Sequence, residues 1–260
     1  MNRESIVAGR FYSEDPTLLR QNISDFINAS HRRDICPKAL IAPHAGYIYS
    51  GPVAASAYTH LQNVNDTIDT VLLIGPAHRV YVDGLAASSA EFFETPLGNI
   101  PVNRKITARL IEQFDFVRYN DEAHQPEHSL EVQLPFLQTL LRNFKIVPLL
   151  FGNSSTRQVS NVLETFWDDA ATFIVISSDL SHYHDYQTAC LIDKATTEAI
   201  EAYDSESIKS EMACGHTAIG GCLQSAQKRH LRVHTVDLRT SGDTQGDKRK
   251  VVGYGAYLFS

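Results

Sequence analysis

Four residues of metal- and proton-handling type follow three separate apolar runs in the same way. KALIA leads into Pro43-His44, VLLIG into Pro76-Ala77-His78, and FIVISS into Asp179-Leu180-Ser181-His182. In open α/β sheets ligands bind beyond the carboxyl ends of the strands, so residues far apart in sequence can converge there. Imidazole is the commonest nitrogen ligand for iron and zinc, and two histidines with one carboxylate make the facial triad of non-haem ferrous oxygenases. One histidine after a strand is ordinarily just a hydrogen-bonded residue. Two at matching strand ends point to a shared site. Asp179 reads either as part of that site or as the partner that fixes a histidine tautomer.

The segment DEAHQPEHSLEVQLPFL adds His124 and His128, four positions apart, with Pro126 between them breaking any shared helical face. His128 and Glu131 fall in the first turn of the helix that follows. There Glu127 or Glu131 would complement the helix dipole, or His128 would stand in the cleft as a proton donor or substrate clamp. Cys214, in ACGHTAIGG, reads as a buried, inert thiol in preference to a reactive one at a helix start. Ser178, four positions before His182, leaves metal-assisted or serine-type hydrolysis as a third reading. The chain contains no GxSxG elbow, P-loop, HExxH helix or GxGxxG turn.

The elements that must position these residues alternate between apolar strands and amphipathic helices. Asp15-Pro16 is a cap and first-turn pair, followed by Leu19, Ile23, Phe26 and Ala29 at helical spacing. Further helices are expected from Pro52 to Gln62, from about Arg104, from about Ser129, from Tyr186 to Tyr203 and from Gly215 to Lys228. Buried strands are expected at KALIA, TVLLIG, KIVPLLFG and FIVISS, with a hairpin-like excursion over VDGLAASSAEFFETPLGNIPV and late strands at LRVHTVDL and VVGYGAYLF. This order predicts an α/β fold over residues 1–260, as one domain, with a central mixed, mostly parallel sheet flanked by helices.

Bulk composition removes several classes. Among 260 residues, 43% hydrophobic content is enough for a sizeable core, while the formal net charge of −7 argues against a nucleic-acid partner. Cys36, Cys190, Cys214 and Cys222 lack zinc-ribbon spacing. The sequence shows neither a bilayer-length apolar stretch nor the apolar core of a signal peptide, so a cytoplasmic protein with no membrane partner is expected.

Together, VAGRFYSEDPTLL, APHAGYIYSGPVAA, VLLIGPAHRV, EHSLEVQLPFL, ISSDLSHY, ACGHTAIGG and VVGYGAYLF, spread in this order from Val7 to Phe259, resemble the Memo family. The resemblance implies the fold of the class III extradiol dioxygenases, iron enzymes that open catechol-type rings. It implies metal-ligand positions at His44 and His78, an acid/base position at His182 and Asp179 beside it. The third metal position, a cysteine in eukaryotic Memo, is expected at Thr244 within SGDTQGD, where neighbouring Asp243 could complete a two-histidine, one-carboxylate triad for Fe(II). Two functions follow from the resemblance: a metal-dependent oxygenase acting on a small aromatic or related molecule, or a non-catalytic module that binds a peptide or protein in the inherited cleft. The family's grouping with AMMECR-type and radical-SAM proteins suggests pathway partners.

Overall fold

Where β-branched and leucine residues run without a polar break, both faces of a strand must be covered, and the central strands meet that condition. The computed structural model describes residues 2–260. In chain order its strands are Asn2–Arg3 (β1), Ala39–Ala42 (β2), Thr70–Pro76 (β3), Leu85–Ala87 (β4), Phe92–Thr95 (β5), Gly98–Pro101 (β6), Val117–Tyr119 (β7), Lys145–Phe151 (β8), Thr172–Ser177 (β9), His182–His184 (β10), Val233–Thr240 (β11) and Val251–Phe259 (β12). Its α-helices are Pro16–Ala29 (α1), Tyr47–Tyr58 (α2), Arg104–Gln113 (α3), Asp121–His124 (α4), Leu134–Leu140 (α5), Thr156–Glu164 (α6), Tyr186–Glu201 (α7), His216–Lys228 (α8) and Ser241–Thr244 (α9).

Nine strands form one sheet in the order β10-β12-β2-β9-β3-β8-β4-β7, with β11 also on β12. The centre, β2-β9-β3-β8, is parallel, and antiparallel pairings join β12 to β2 and β4 to β8. The fold is thus α/β with a mixed sheet. Every residue of β2, β3 and β9 is buried. Alternate side chains enter opposite cores, as a two-residue period requires. Leu40, Val71, Leu73 and Val175 join the core under α1, α2 and α5, whereas Ile41, Leu72, Ile74, Ile174 and Ile176 join the core under α6, α7 and α8. No helix among the described residues is long and apolar enough to cross a membrane.

Two expected boundaries move. The second helix begins at Tyr47 and carries Pro52 inside it. The lost bond there falls on the carbonyl of Ile48, whose residue is 60% exposed and within reach of water. The helix expected from Ser129 is a 3-10 turn over Glu131–Gln133 and becomes α-helical at Leu134, where Pro135 fits the first turn. The hairpin-like excursion divides. Strand β4 enters the large sheet, and β5-β6 makes a small antiparallel pair on which β1 lies parallel.

Strand β1 also anchors the loop between α4 and α5. Arg3, 2% exposed, donates from Nε to the His124 carbonyl at 3.1 Å, from Nη2 to the Glu127 carbonyl and from Nη1 to the Glu131 carboxylate. Glu131 is fully buried and also accepts from the Ile6 and Val7 amides at 3.0 Å and the Tyr12 hydroxyl at 2.6 Å. Removing one member of a buried ion pair leaves the other charge without compensation. Arg3→Ala should therefore lower unfolding free energy by about 3–5 kcal/mol in urea titrations. A loss below about 1 kcal/mol would mean that the pair is not the anchor described.

Candidate metal centre

Adjacent parallel strands β2, β9 and β3 bring their carboxyl ends side by side, and the first turn after each supplies part of one cleft. His44 follows β2, His78 follows β3, and Ser177 closes β9 between them. The Arg3-anchored loop delivers His128 from the other side. One ligand atom from each of His44, His78 and His128 lies within 4.8 Å of the other two. Their ring centroids are 5.2 to 5.6 Å apart. His44 is buried, while His78 and His128 are partly open, with side chains 30% and 16% exposed. The open side is where an exogenous molecule can reach.

The hydrogen bonds assign the same tautomer to all three rings. Glu127, 2% exposed, accepts from the His78 amide at 2.5 Å, from His78 Nδ1 at 2.9 Å, and from the His128 and Ser129 amides at 2.9 Å. His128 Nδ1 lies 3.2 Å from the same carboxylate. Burial alone would raise the Glu127 pKa, but the bonds from His128 and His78 more than reverse this and hold it well below the carboxylate range. An ionised carboxylate only accepts, so both facing Nδ1 atoms carry hydrogen.

His44 reaches the same state by another route. Its Nδ1 meets Ser177 Oγ at 2.9 Å; that hydroxyl already donates to the Ser129 carbonyl at 2.6 Å and accepts from Gln133 Nε2 at 2.8 Å. With the hydroxyl proton committed, His44 Nδ1 must be the donor. A neutral ring with its hydrogen on Nδ1 keeps its only lone pair on Nε2, the form in which imidazole binds a metal. Three imidazole nitrogens backed by hydrogen-bonded partners form a set that could hold a metal ion.

Asp179 shapes this group without entering it. Its Oδ1 accepts from the His44 amide at 2.8 Å, and its own amide donates to Cys214 Sγ at 3.3 Å. Cys214 Sγ lies 3.5 Å from His44 Nε2. Burial first, then the Asp179 charge, pushes this thiol well above its ordinary pKa in the metal-free chain. The approach depends on Gly215, whose amide donates to Ser178 Oγ at 2.8 Å and where a Cβ would stand 2.4 Å from Ser178 Cβ.

The remaining sequence candidates are placed elsewhere. Asp243 was expected as the carboxylate ligand, but it lies outside the three-histidine group. Its Oδ2 accepts from the Thr240 amide at 2.8 Å, as the N3 residue of the capping box that starts α9 at Thr240, and its Oδ1 accepts from the Tyr186 hydroxyl at 2.7 Å. Thr244, expected at the third metal position, bonds from Oγ1 to the Ser241 carbonyl at 3.2 Å. The cysteine nearest the histidines instead comes from the residues just before α8. His182 lies in the short edge strand β10, half-buried, and its ring makes no hydrogen bond among the described residues. The sequence reading missed Glu127 as the carboxylate behind two histidines; its signal was direct adjacency to His128 in a segment already rich in histidine.

Comparison with known sequences relates the whole chain to a wider set. The sequence profile of the Memo-like protein family matches residues 3–258. A MEMO1 family protein of Metallosphaera sedula is 33% identical, with all of both chains covered. Another from Sulfolobus acidocaldarius is 34% identical over 100% of this chain and 99% of its own. A third, from Saccharolobus solfataricus, is 33% identical with the same coverage, 100% and 99%.

Two buried imidazoles contribute to the acid stability of the metal-free chain. Burial holds the His44 pKa down to about 4 against the facing Asp179 charge, and burial likewise holds His124 down to about 4. Both are neutral when folded, yet protonate near pH ~6.5 when unfolded. The unfolded chain then binds more protons between those values, so this contribution is complete above about pH 6.5 and is lost as pH falls towards about 4. Each group changes stability by up to about 1.4 kcal/mol per pH unit in that window. Urea midpoints of metal-free protein should fall across it, and His124→Gln should flatten the slope. A midpoint that does not move between pH ~6.5 and ~4.5 contradicts the assignment.

Proposed function

This chain belongs to the Memo-like protein family, and from that premise we propose that His44, His78 and His128 hold ferrous iron in a dioxygenase-like enzyme acting on a small aromatic or related chelating substrate. The observation that carries this reading is the grouping of three histidines, one ring nitrogen of each within 4.8 Å of the other two, beside an open cleft.

The donor set fits a divalent cation on three counts. Borderline divalent metals take imidazole readily, and three protein ligands leave further positions free. Glu127 supplies a compensating negative charge through His78 and His128 without occupying a position itself. Cys214 Sγ, 3.5 Å from His44 Nε2, lies beside the donor set as a further, soft donor that would bind a metal as its thiolate. Bound ferrous iron would supply the redox chemistry towards dioxygen and polarise the hydroxyl oxygens of the substrate.

The chain's own residues perform the remaining tasks. Glu127 and Ser177 keep the three rings in the ligand tautomer, and Asp179 holds the His44 backbone at the end of β2. Phe11 packs edge-on against His128 at 4.9 Å between centroids and forms an apolar wall. His182, beyond Asp179 on the next strand, has a ring free of internal bonds and is the residue to carry protons to and from the substrate hydroxyls. Catechol-type substrates are the first class to test. AMMECR-type and radical-SAM proteins are the proposed pathway partners.

Protein purified anaerobically with added ferrous iron should hold close to one iron per chain. His44→Ala, His78→Ala and His128→Ala should each abolish retention, Glu127→Gln should weaken it about 10–100-fold, and Asp243→Ala should leave it intact. Wild type should then consume oxygen with catechols, and His182→Ala should lose turnover while keeping its iron. If wild type retains no metal, the cleft is instead that of a peptide- or protein-binding module. If Asp243→Ala loses the metal, the three-histidine assignment is wrong.

A further inference from the structure

The opposite end of the sheet carries a second concavity whose chemistry differs from that of the histidine cleft. It lies where β3 and β8 begin, at Thr70 and Lys145, so about 20 Å of strand separates it from the turns that bear His78. Its volume is about 560 Å³, the size of a small-molecule site. Leu97, Ile100, Leu141 and Phe144 give it an apolar floor.

Its polar lining sets three cations against one carboxylate, beside the side-chain amides of Asn99, Asn103, Gln138 and Asn143. Arg20 comes from α1, Arg142 from the turn after α5 and Lys145 from the start of β8. Among the described residues none of these three has an ion-pair partner or a side-chain hydrogen bond, unlike Arg229, Arg239 and Arg249, which each hold a carboxylate. The amides of Asn99 and Asn143 also line the hollow without side-chain bonds. One carboxylate opposes them, that of Asp69, which accepts from Thr70 Oγ1 at 2.8 Å. In a chain of net charge −7, three cations without ion-pair partners, from three elements, line one hollow and outnumber its single carboxylate, which favours an anion there.

We propose that this hollow binds a phosphomonoester with an apolar or aromatic body. A phosphate presents three terminal oxygens and up to two charges, which suits two guanidinium forks and an ammonium better than a single carboxylate would. The organic body lies on Leu97, Ile100 and Phe144, while the phosphate faces Arg20, Arg142 and Lys145. The site is independent of the histidine cleft in both position and chemistry.

Phenyl phosphate is the minimal probe. Isothermal titration calorimetry would compare it with benzoate on wild type, Arg142→Ala, Lys145→Ala and metal-free His44→Ala, with thermal melts confirming that each variant is folded. Arg142 and Lys145 are exposed and unpaired, so their truncation should leave the fold unchanged. One phenyl phosphate per chain is expected, weakened at least tenfold in both cationic variants and unchanged in His44→Ala, with benzoate at least tenfold weaker on wild type. Absence of saturable binding at millimolar phenyl phosphate would overturn the proposal, as would equal binding by the cationic variants. Loss of binding in His44→Ala would place the ligand at the histidines instead. Benzoate binding as tightly as phenyl phosphate would overturn the phosphate assignment.

Discussion

The Glu127 carboxylate is the constraint on which the candidate metal centre depends. A buried, ionised carboxylate is costly unless its lone pairs are filled, and here they take the His78 amide and ring, the His128 amide and ring and the Ser129 amide. Those donors come from two places far apart in sequence, the end of β3 and the loop before α5. Meeting the electrostatic demand of one side chain therefore brings two histidines together and orients both. Arg3 and Glu131 hold the same loop from its far side, so the loop is fixed between two buried ionic centres.

His44 obeys a parallel logic through a neutral group. The Ser177 hydroxyl is committed to the Ser129 carbonyl and leaves the imidazole one option. Ser129 thus serves both networks, since its amide binds Glu127 and its carbonyl orders Ser177. A local change at Ser129 would disturb all three rings together. Asp179 then ties the backbone of His44 to the neighbouring strand end and meets Cys214. The cleft is a coupled assembly and not three separate side chains.

The sheet divides its chemistry between its ends. At the carboxyl ends, imidazoles gather beside a buried carboxylate; at the amino ends of β3 and β8, cations without ion-pair partners line a hollow with apolar residues. Both arrangements rest on the same central strands, whose interior side chains are committed alternately to two cores, while residues at the strand ends, Ser177 at one and Thr70 and Lys145 at the other, enter the sites.

The sequence alone determined the α/β class, the buried strands at TVLLIG and KIVPLLFG, and the family, because apolar periodicity and contiguous motifs are local properties of a chain. It also singled out His44 and His78, since each follows a recognisable strand by a short turn. The partner of those two histidines was not legible. His128 stands in a loop beyond Pro126, where no periodicity states which way a side chain faces, and Asp243 had an equally suitable residue type. Tertiary structure separates the two by their hydrogen bonds, grouping His128 with His44 and His78 and leaving Asp243 outside that group. Asp243 is consumed by Thr240 and Tyr186, while His128 is brought to β3 by a carboxylate whose donors lie some fifty residues apart along the chain. The same reason hid Cys214, whose place beside His44 follows from the approach of the residues before α8 to Ser178, a long-range contact permitted by a glycine.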